Sequence, residues 1–506
     1  MNNYSGEQTN KNHVDEEKIM PTWNETDHHV NRTSVSKYVS KCIFGISLEP
    51  IFFCVIFTSV MYQLVAQNLY LEKACRVNIG YDSSVCNAMT ARNRSGYSRF
   101  QEANVQKLVT QMIGLRTAIQ SFFPVCLVLF LGSWSDRHRR RKPLIMFPII
   151  GEILCCVALI INVILFEELP LIYTVLGDSL PLALLGGWPS LFIGSYSYVG
   201  ERCNNRNRTL KMGTISAARM IGHSLGSSLG GMLFAEFGFL SSFLFCIMIL
   251  LTALTSSILL VRDYKTEKEN DKSIGFFRDF FNITHFQKSV KTCFNKGPNK
   301  RRIKVIIFLS LLFIVAGPSV AENSVNYMFT RFSFGWNTVQ YGFFAASMFS
   351  MELIGTLITL IIVIQFFRCD ESLLGMFGLV SSMAANTIYA SAPSPGYFYS
   401  GIFFGLFTTL PYIAVRSLIA KTIPSHELGQ TNSVFGICDA VTPLIFGPLY
   451  TTIYKYTIDI FPGTYLVVTI FLKSIGFCFF IFLYYQSRRE RRIENKDLNN
   501  DCHSSN

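Results

Sequence analysis

The chain has 506 residues, half of them hydrophobic and 15% charged, with 45 phenylalanines and a formal net charge of +12. A soluble protein of this length carries about a quarter charged residues, so composition argues against a water-soluble fold and for a chain immersed in lipid. The surplus cations sit at the ends of apolar runs, where the positive-inside rule accounts for them, and no nucleic-acid partner is expected.

Residues 1–42 are polar and contain no apolar core of a cleavable signal, so the first apolar run is expected to insert as a helix in its own right. Runs of roughly 20 apolar residues follow, the length that carries a helix across ~30 Å of hydrocarbon and too long for barrel strands. Six spans are predicted at about 43–69, 107–132, 143–166, 172–199, 211–234 and 240–261, making an N-terminal bundle over 43–262. The loop at 70–106 contains Cys75, Cys86 and the sequon Asn93-Arg94-Ser95. In an oxidising compartment Cys75 and Cys86 are expected to pair and Asn93 to be glycosylated. Between the second and third spans lies LGSWSDRHRRRKP, residues 131–143.

A polar linker at 263–303 separates this set from six further spans at about 304–329, 338–365, 373–391, 397–419, 430–454 and 464–485. These form a second bundle over 304–486, ahead of a tail at 487–506. The expected fold is therefore an all-α membrane protein of about twelve helices in two six-helix bundles. Basic loops go to the cytoplasm, which places the linker and both termini there and the 70–106 loop on the outside or in a lumen. The linker is also the expected place for a cytoplasmic partner to bind. The sequence DEEKIM, residues 15–20, is similar to an acidic sorting signal, so the plasma membrane and an endolysosomal membrane are both open.

Ionisable groups within spans cost at least ~2.5 kcal/mol each on insertion scales and therefore face partners or cavities. They include Glu49 beside Pro50, Arg116, Glu152, Arg219 and His223 in the first half, and Glu322, Glu352, Arg416, Asp439 and Lys473 in the second. Glu152, placed near a span end, and Lys473 read as internal ion pairs. Arg416 reads as an anion-binding group whose planar fork suits carboxylates, or as a structural partner of Asp439 or Glu322. Arg219, His223 and Ser216 share a helix face. Protons are an expected co-substrate, with Glu322, Asp439, His223 and Glu49 as candidate carriers. No cofactor or metal site is expected: no loop carries metal-ligand spacing or a nucleophile–base pairing.

GSWSDRHRRRKP is similar to the loop between the second and third spans of major facilitator transporters. LEPIFF…QNLY, LGSWSDRHRRRKPL, NRTLKMG and AVRSLIAKTIPSHELGQTNS more narrowly resemble the solute carrier 46 family, which includes proton-coupled folate carriers. The resemblance spans about 43–485. It implies secondary active transport by alternating access of a folate-like or other carboxylate- or phosphate-bearing organic anion, and it matches Arg416 to an arginine that contacts anionic substrate. Ser216 and Asn323 would add hydrogen bonds. It implies gating by Asp136, with Arg140 or Arg141 meeting Glu201. The chain departs from the family at Ser216 and Gly187, where the family has acidic residues, and at Gly335, where it has a cysteine; Arg139 replaces a glycine of the loop motif, so a looser turn is expected there. A rival reading is a receptor or scaffold of the same shape that no longer carries solute.

Overall fold

The computed structural model describes residues 48–138, 140–202, 205–261, 301–359, 370–423 and 428–504, with 291 and 294. Among them there is no strand, and ten helices are long and apolar enough to cross a membrane. The first half holds α1 (Glu49–Lys73), α2 (Ser83–Thr90), α3 (Arg99–His138), α4 (Lys142–Ile164), α5 (Leu171–Leu184), α6 (Gly187–Arg202) and α7 (Asn205–Leu260). The second holds α8 (Arg301–Phe334), α9 (Thr338–Ile358), α10 (Glu371–Ser391), α11 (Pro395–Phe404), α12 (Leu410–Thr422), α13 (Leu428–Thr457) and α14 (Thr464–Ser504).

The count of ten against the expected twelve has two sources. The expected fifth and sixth spans both lie within α7, joined where the helical path breaks at Gly238, at φ +72° and ψ −166°. The expected second span lies in α3, part of whose apolar half falls outside the residues whose side chains are described. The fourth span is split instead: α5 ends at Leu184, and Gly186 and Gly187 turn through φ +92° and +56° before α6 resumes. Glycine is needed at the second of these, because a Cβ on Gly187 would stand 2.9 Å from Pro124.

Two expectations are corrected here. Glu49 is not buried within a span beside a kink; it is the first residue of α1, Pro50 occupies an opening position that tolerates a missing N–H, and Thr214 Oγ1 donates to the Glu49 carboxylate at 2.8 Å. A carboxylate in the first turn also complements the helix dipole. The 70–106 segment is mostly helical rather than looped. α1 passes through a π-turn at Ala74–Ile79 that Gly80 ends in the left-handed region, and α2 follows, N-capped by Asp82. The Ser84 hydroxyl and amide donate to Asp82 and hold its carboxyl below the usual range. The Cys75–Cys86 disulfide staples α2 to the end of α1, with the Cα atoms 5.9 Å apart.

The two halves are pressed together through α7. Gly222, Gly226 and Gly230, one turn apart, let α7 lie against Phe53, Phe57 and Met61 of α1, and a Cβ on Gly226 would come within 2.5 Å of the Phe57 carbonyl. Small residues at this spacing are the usual means of close helix approach in lipid. Gly231 meets the Thr338 carbonyl of α9, and Gly342 of α9 meets the Ser227 carbonyl. One side of the seam between the halves therefore runs along α7 and α9; the other runs along α3 and α13, where Gly114 meets Thr451 and Gly447 meets Thr117.

Candidate functional site

Four polar clusters interrupt the apolar helices. In the first half, Arg116 Nε donates to Asp178 at 2.6 Å, Tyr70 donates to the same carboxylate, and Gln120 donates to the Asp178 carbonyl at 3.1 Å. Asp178 is fully buried. Beside this pair, Ser59 of α1 donates to Glu152. This corrects the expected role of Glu152: it lies in the middle of α4, and its partner is a hydroxyl rather than a cation.

In the second half, Arg416 of α12 is paired with Asp439 of α13, and Tyr412 both accepts from Arg416 and donates to Asp439, each at 3.1 Å. One turn separates Tyr412 from Arg416, which also places the guanidinium 5.4 Å from the tyrosine ring. The partner of Arg416 is thus Asp439 and not Glu322. Glu322 accepts from Asn386 at 3.0 Å and lies 3.9 Å from Lys473, whose ammonium donates to Ser382 at 2.6 Å. Lys473 is an internal ion-pair group, as its sequence position suggested.

The third cluster follows the seam. Ser224 and Ser350 hydroxyls meet at 2.9 Å, and His223 packs on Phe349 with ring centroids 3.7 Å apart. One turn from His223, Arg219 faces the second half, where Glu352 lies within its electrostatic reach. Neither Arg219 nor Glu352 has a side-chain hydrogen bond or ion pair with another described residue.

The fourth cluster closes the end marked by the disulfide. Arg92, at φ +60°, donates to Glu102 at 2.6 Å, to the Arg331 carbonyl at 2.7 Å and to the Gly335 carbonyl at 3.3 Å. Arg331 donates to the Met89 carbonyl at 3.0 Å and holds Nε 3.7 Å from Glu102. Below it, Tyr327 donates to Asn68 at 2.7 Å, Tyr454 donates to Gln106 at 2.9 Å, and Lys107 pairs with Asp459. Apart from Arg92–Glu102, which lies within the first half, these contacts join first half to second. Gly335 takes φ +74°, a conformation that side chains other than glycine's rarely adopt, so a cysteine there would be strained.

Sequence reading missed Asp178, Glu102, Arg92 and Arg331. Asp178 carried a signal, a lone acid in the apolar run LGDSLPL; the other three read as residues at span edges. Of the expected hydrogen-bonding groups, Asn323 is exposed while its neighbour Asn326 accepts from Tyr465 at 2.8 Å, and Ser216 is half-buried with no described partner. Of the expected gate, Arg140 is exposed and Arg141 buried, whereas the side chains of Asp136 and Glu201, the turn at Arg139 and most of the linker at 263–303 lie outside the described residues. A groove of about 330 Å³ between α3 and α13, lined by Gln111, Gly114, Pro448, Thr451 and Lys455, contains none of the expected site residues.

The sequence profile of the Major Facilitator Superfamily matches residues 51–367, well over half of the chain. The chain belongs to the major facilitator superfamily. This facilitator is 24% identical, over 85% of its length and 83% of the other's, to a Drosophila melanogaster protein named "Probable peptidoglycan muropeptide transporter SLC46". It is 23% identical, over 82% of its length and 89% of the other's, to the Gallus gallus "Lysosomal proton-coupled steroid conjugate and bile acid symporter SLC46A3". The solute carrier 46 resemblance is borne out. The crystal structure of the human organic anion transporter MFSD10 superposes with a TM-score of 0.58, covering 86% of this facilitator and 99% of that chain at 13% identity, a likeness of fold alone. This is a multi-pass membrane protein of a family of transporters, not of enzymes.

Proposed function

We propose that this facilitator carries an organic anion together with protons, by alternating access, across a plasma or endolysosomal membrane, with both termini in the cytoplasm and a glycan on Asn93. The observation that supports this most is the Arg416–Asp439 pair. Its side chains are 31% and 28% exposed although they sit within apolar helices. Charged groups do not face hydrocarbon, so an exposed pair at this depth faces a wet cavity. A guanidinium there is an anion site held closed by an internal carboxylate. An incoming carboxylate or phosphate competes with Asp439 for Arg416, and the proton that travels with it offsets the added negative charge. Arg219, a cation with no described partner, adds a second point of attraction from the other half. The names of the solute carrier 46 relatives agree with protons and with bulky conjugated anions.

The test is uptake of labelled taurocholate, a steroid sulfate, muramyl dipeptide and folate by vesicles holding the full chain, at external pH 5.5 and 7.5. Uptake of at least one anion should rise at acid pH, and Arg416→Ala should lower it by more than about tenfold, the equivalent of about 1.4 kcal/mol. Undiminished uptake by the mutant removes Arg416 from the site.

A further inference from the structure

Among the described residues, three charged groups within the spans have no ion-pair partner: Arg219 and Glu152 in the first half and Glu352 in the second. In the second half Arg416 is matched by Asp439 and Lys473 by Glu322, which leaves Glu352 as a surplus carboxylate. In the first half Arg116 is matched by Asp178, which leaves Arg219 and Glu152 without an ion-pair partner; Glu152 takes the Ser59 hydroxyl of α1 within its own half. Of these, Arg219 and Glu352 lie on facing helices of the seam, α7 and α9, one turn below the contacts of His223 with Phe349 and Ser224 with Ser350. The groups within electrostatic reach of Glu352 are Arg219 on α7, Glu322 on α8, Tyr389 on α10 and Lys473 on α14. Lys473 is already engaged by Ser382 and Glu322, so Arg219 is the cation available to Glu352.

We propose that Glu352 carries the proton and that Arg219, approaching it from the other half, is the group that drives the proton off. The proposal rests on the proton-coupled reading above and names the residue that performs it. Glu352 replaces the four carriers that the sequence suggested. Glu322 is paired with Lys473 and, in the empty site, Asp439 with Arg416, while Glu49 lies at a helix end with Thr214 and His223 is packed against Phe349. In the conformation closed at the disulfide end, Arg219 and Glu352 do not touch. An anion bound to Arg219 then leaves Glu352 without a counter-charge, so solute and proton load together. With the site empty, α7 and α9 close below the seam, Arg219 meets ionised Glu352, and the carrier returns neutral. Glu152 is the competing buried carboxylate, but it faces α1 within one half and does not report on the distance between the halves.

The experiment follows the halves without any solute. Spin labels carried by non-canonical residues at Leu259 and Leu373, both exposed and near the end opposite the disulfide, report their separation in the full chain in lipid nanodiscs. Raising pH from 5.5 to 7.5 should shift the wild-type distribution toward shorter distances. Glu352→Gln should abolish that shift and hold the low-pH distribution at both values, and Arg219→Gln, reaching the same pair from the other half, should also abolish it. Glu322→Gln and Glu152→Gln should keep it. A wild type indifferent to pH overturns the proposal, as does a shift that survives in Glu352→Gln or Arg219→Gln. Because no solute enters the measurement, its failure is distinguishable from failure of anion uptake.

Discussion

Asp178→Ala is expected to be the most destabilising single substitution in the first half. Asp178 is fully buried, accepts from Arg116 and Tyr70, and supports Gln120 through its carbonyl. Its removal strands a guanidinium among apolar helices. Breaking a buried pair on one side costs about 3–5 kcal/mol, whereas replacing both partners by apolar side chains of similar volume is often neutral. The prediction is therefore a pattern rather than a single loss. In detergent, Asp178→Ala should lower the apparent melting temperature by roughly 10 °C, and Arg116→Leu/Asp178→Leu should recover at least half of that. If the double variant is as unstable as the single, the cost lies in lost packing and not in an abandoned charge. Tyr70 is the inner check, because Tyr70→Phe removes one hydrogen bond and should cost only about 1 kcal/mol.

Glu102→Gln should open the disulfide end. Glu102 lies between two guanidiniums of opposite halves: Arg92 donates to it at 2.6 Å and Arg331 stands 3.7 Å away. Gln106 adds a third donor at 3.3 Å. Neutralising the carboxylate leaves two cations facing each other across the closure, and a like-charge contact replaces an attractive one. A change of about 1.4 kcal/mol in the equilibrium is tenfold in population. Thr338, buried beneath the clasp where its hydroxyl donates to Asn68 at 3.2 Å, is a suitable reporter. Thr338→Cys should react with a membrane-impermeant maleimide at least about ten times faster in the Glu102→Gln background than with Glu102 intact, native cysteines being counted from the parent chain. Equal rates would mean that the clasp does not hold this end shut.

The spans were legible because each needs about twenty apolar residues, and that requirement leaves little freedom in where a helix can lie. The disulfide was legible because two cysteines eleven residues apart share the long segment between the first two spans, expected outside the cytoplasm. Arg416 and Asp439 were legible as charges that lipid does not tolerate, although only packing decided that Asp439, and not Glu322, is the partner. The clasp was not. Glu102, Arg92 and Arg331 stand at the edges of apolar runs, where a charge is ordinary, and nothing in one dimension says that residues 92 and 331 meet. Arg219 and Glu352 show a subtler limit. Both stood out as charges within spans, but their significance rests on every neighbouring charge having another partner, which only the folded helices reveal. Glu152 was misread for the same reason: a carboxylate in a span suggests a cation, and here the partner is the Ser59 hydroxyl.

The central claim is that solute and protons cross together through this fold. Proteoliposomes holding the full chain, loaded with a pH-sensitive dye and no internal solute, measure it directly. With equal pH on both sides, adding outside an anion that passes the uptake screen should acidify the lumen in step with solute entry, and Glu352→Gln should remove that acidification. Solute entry without any accompanying proton, in the wild type and under a clamped membrane potential, would contradict the account.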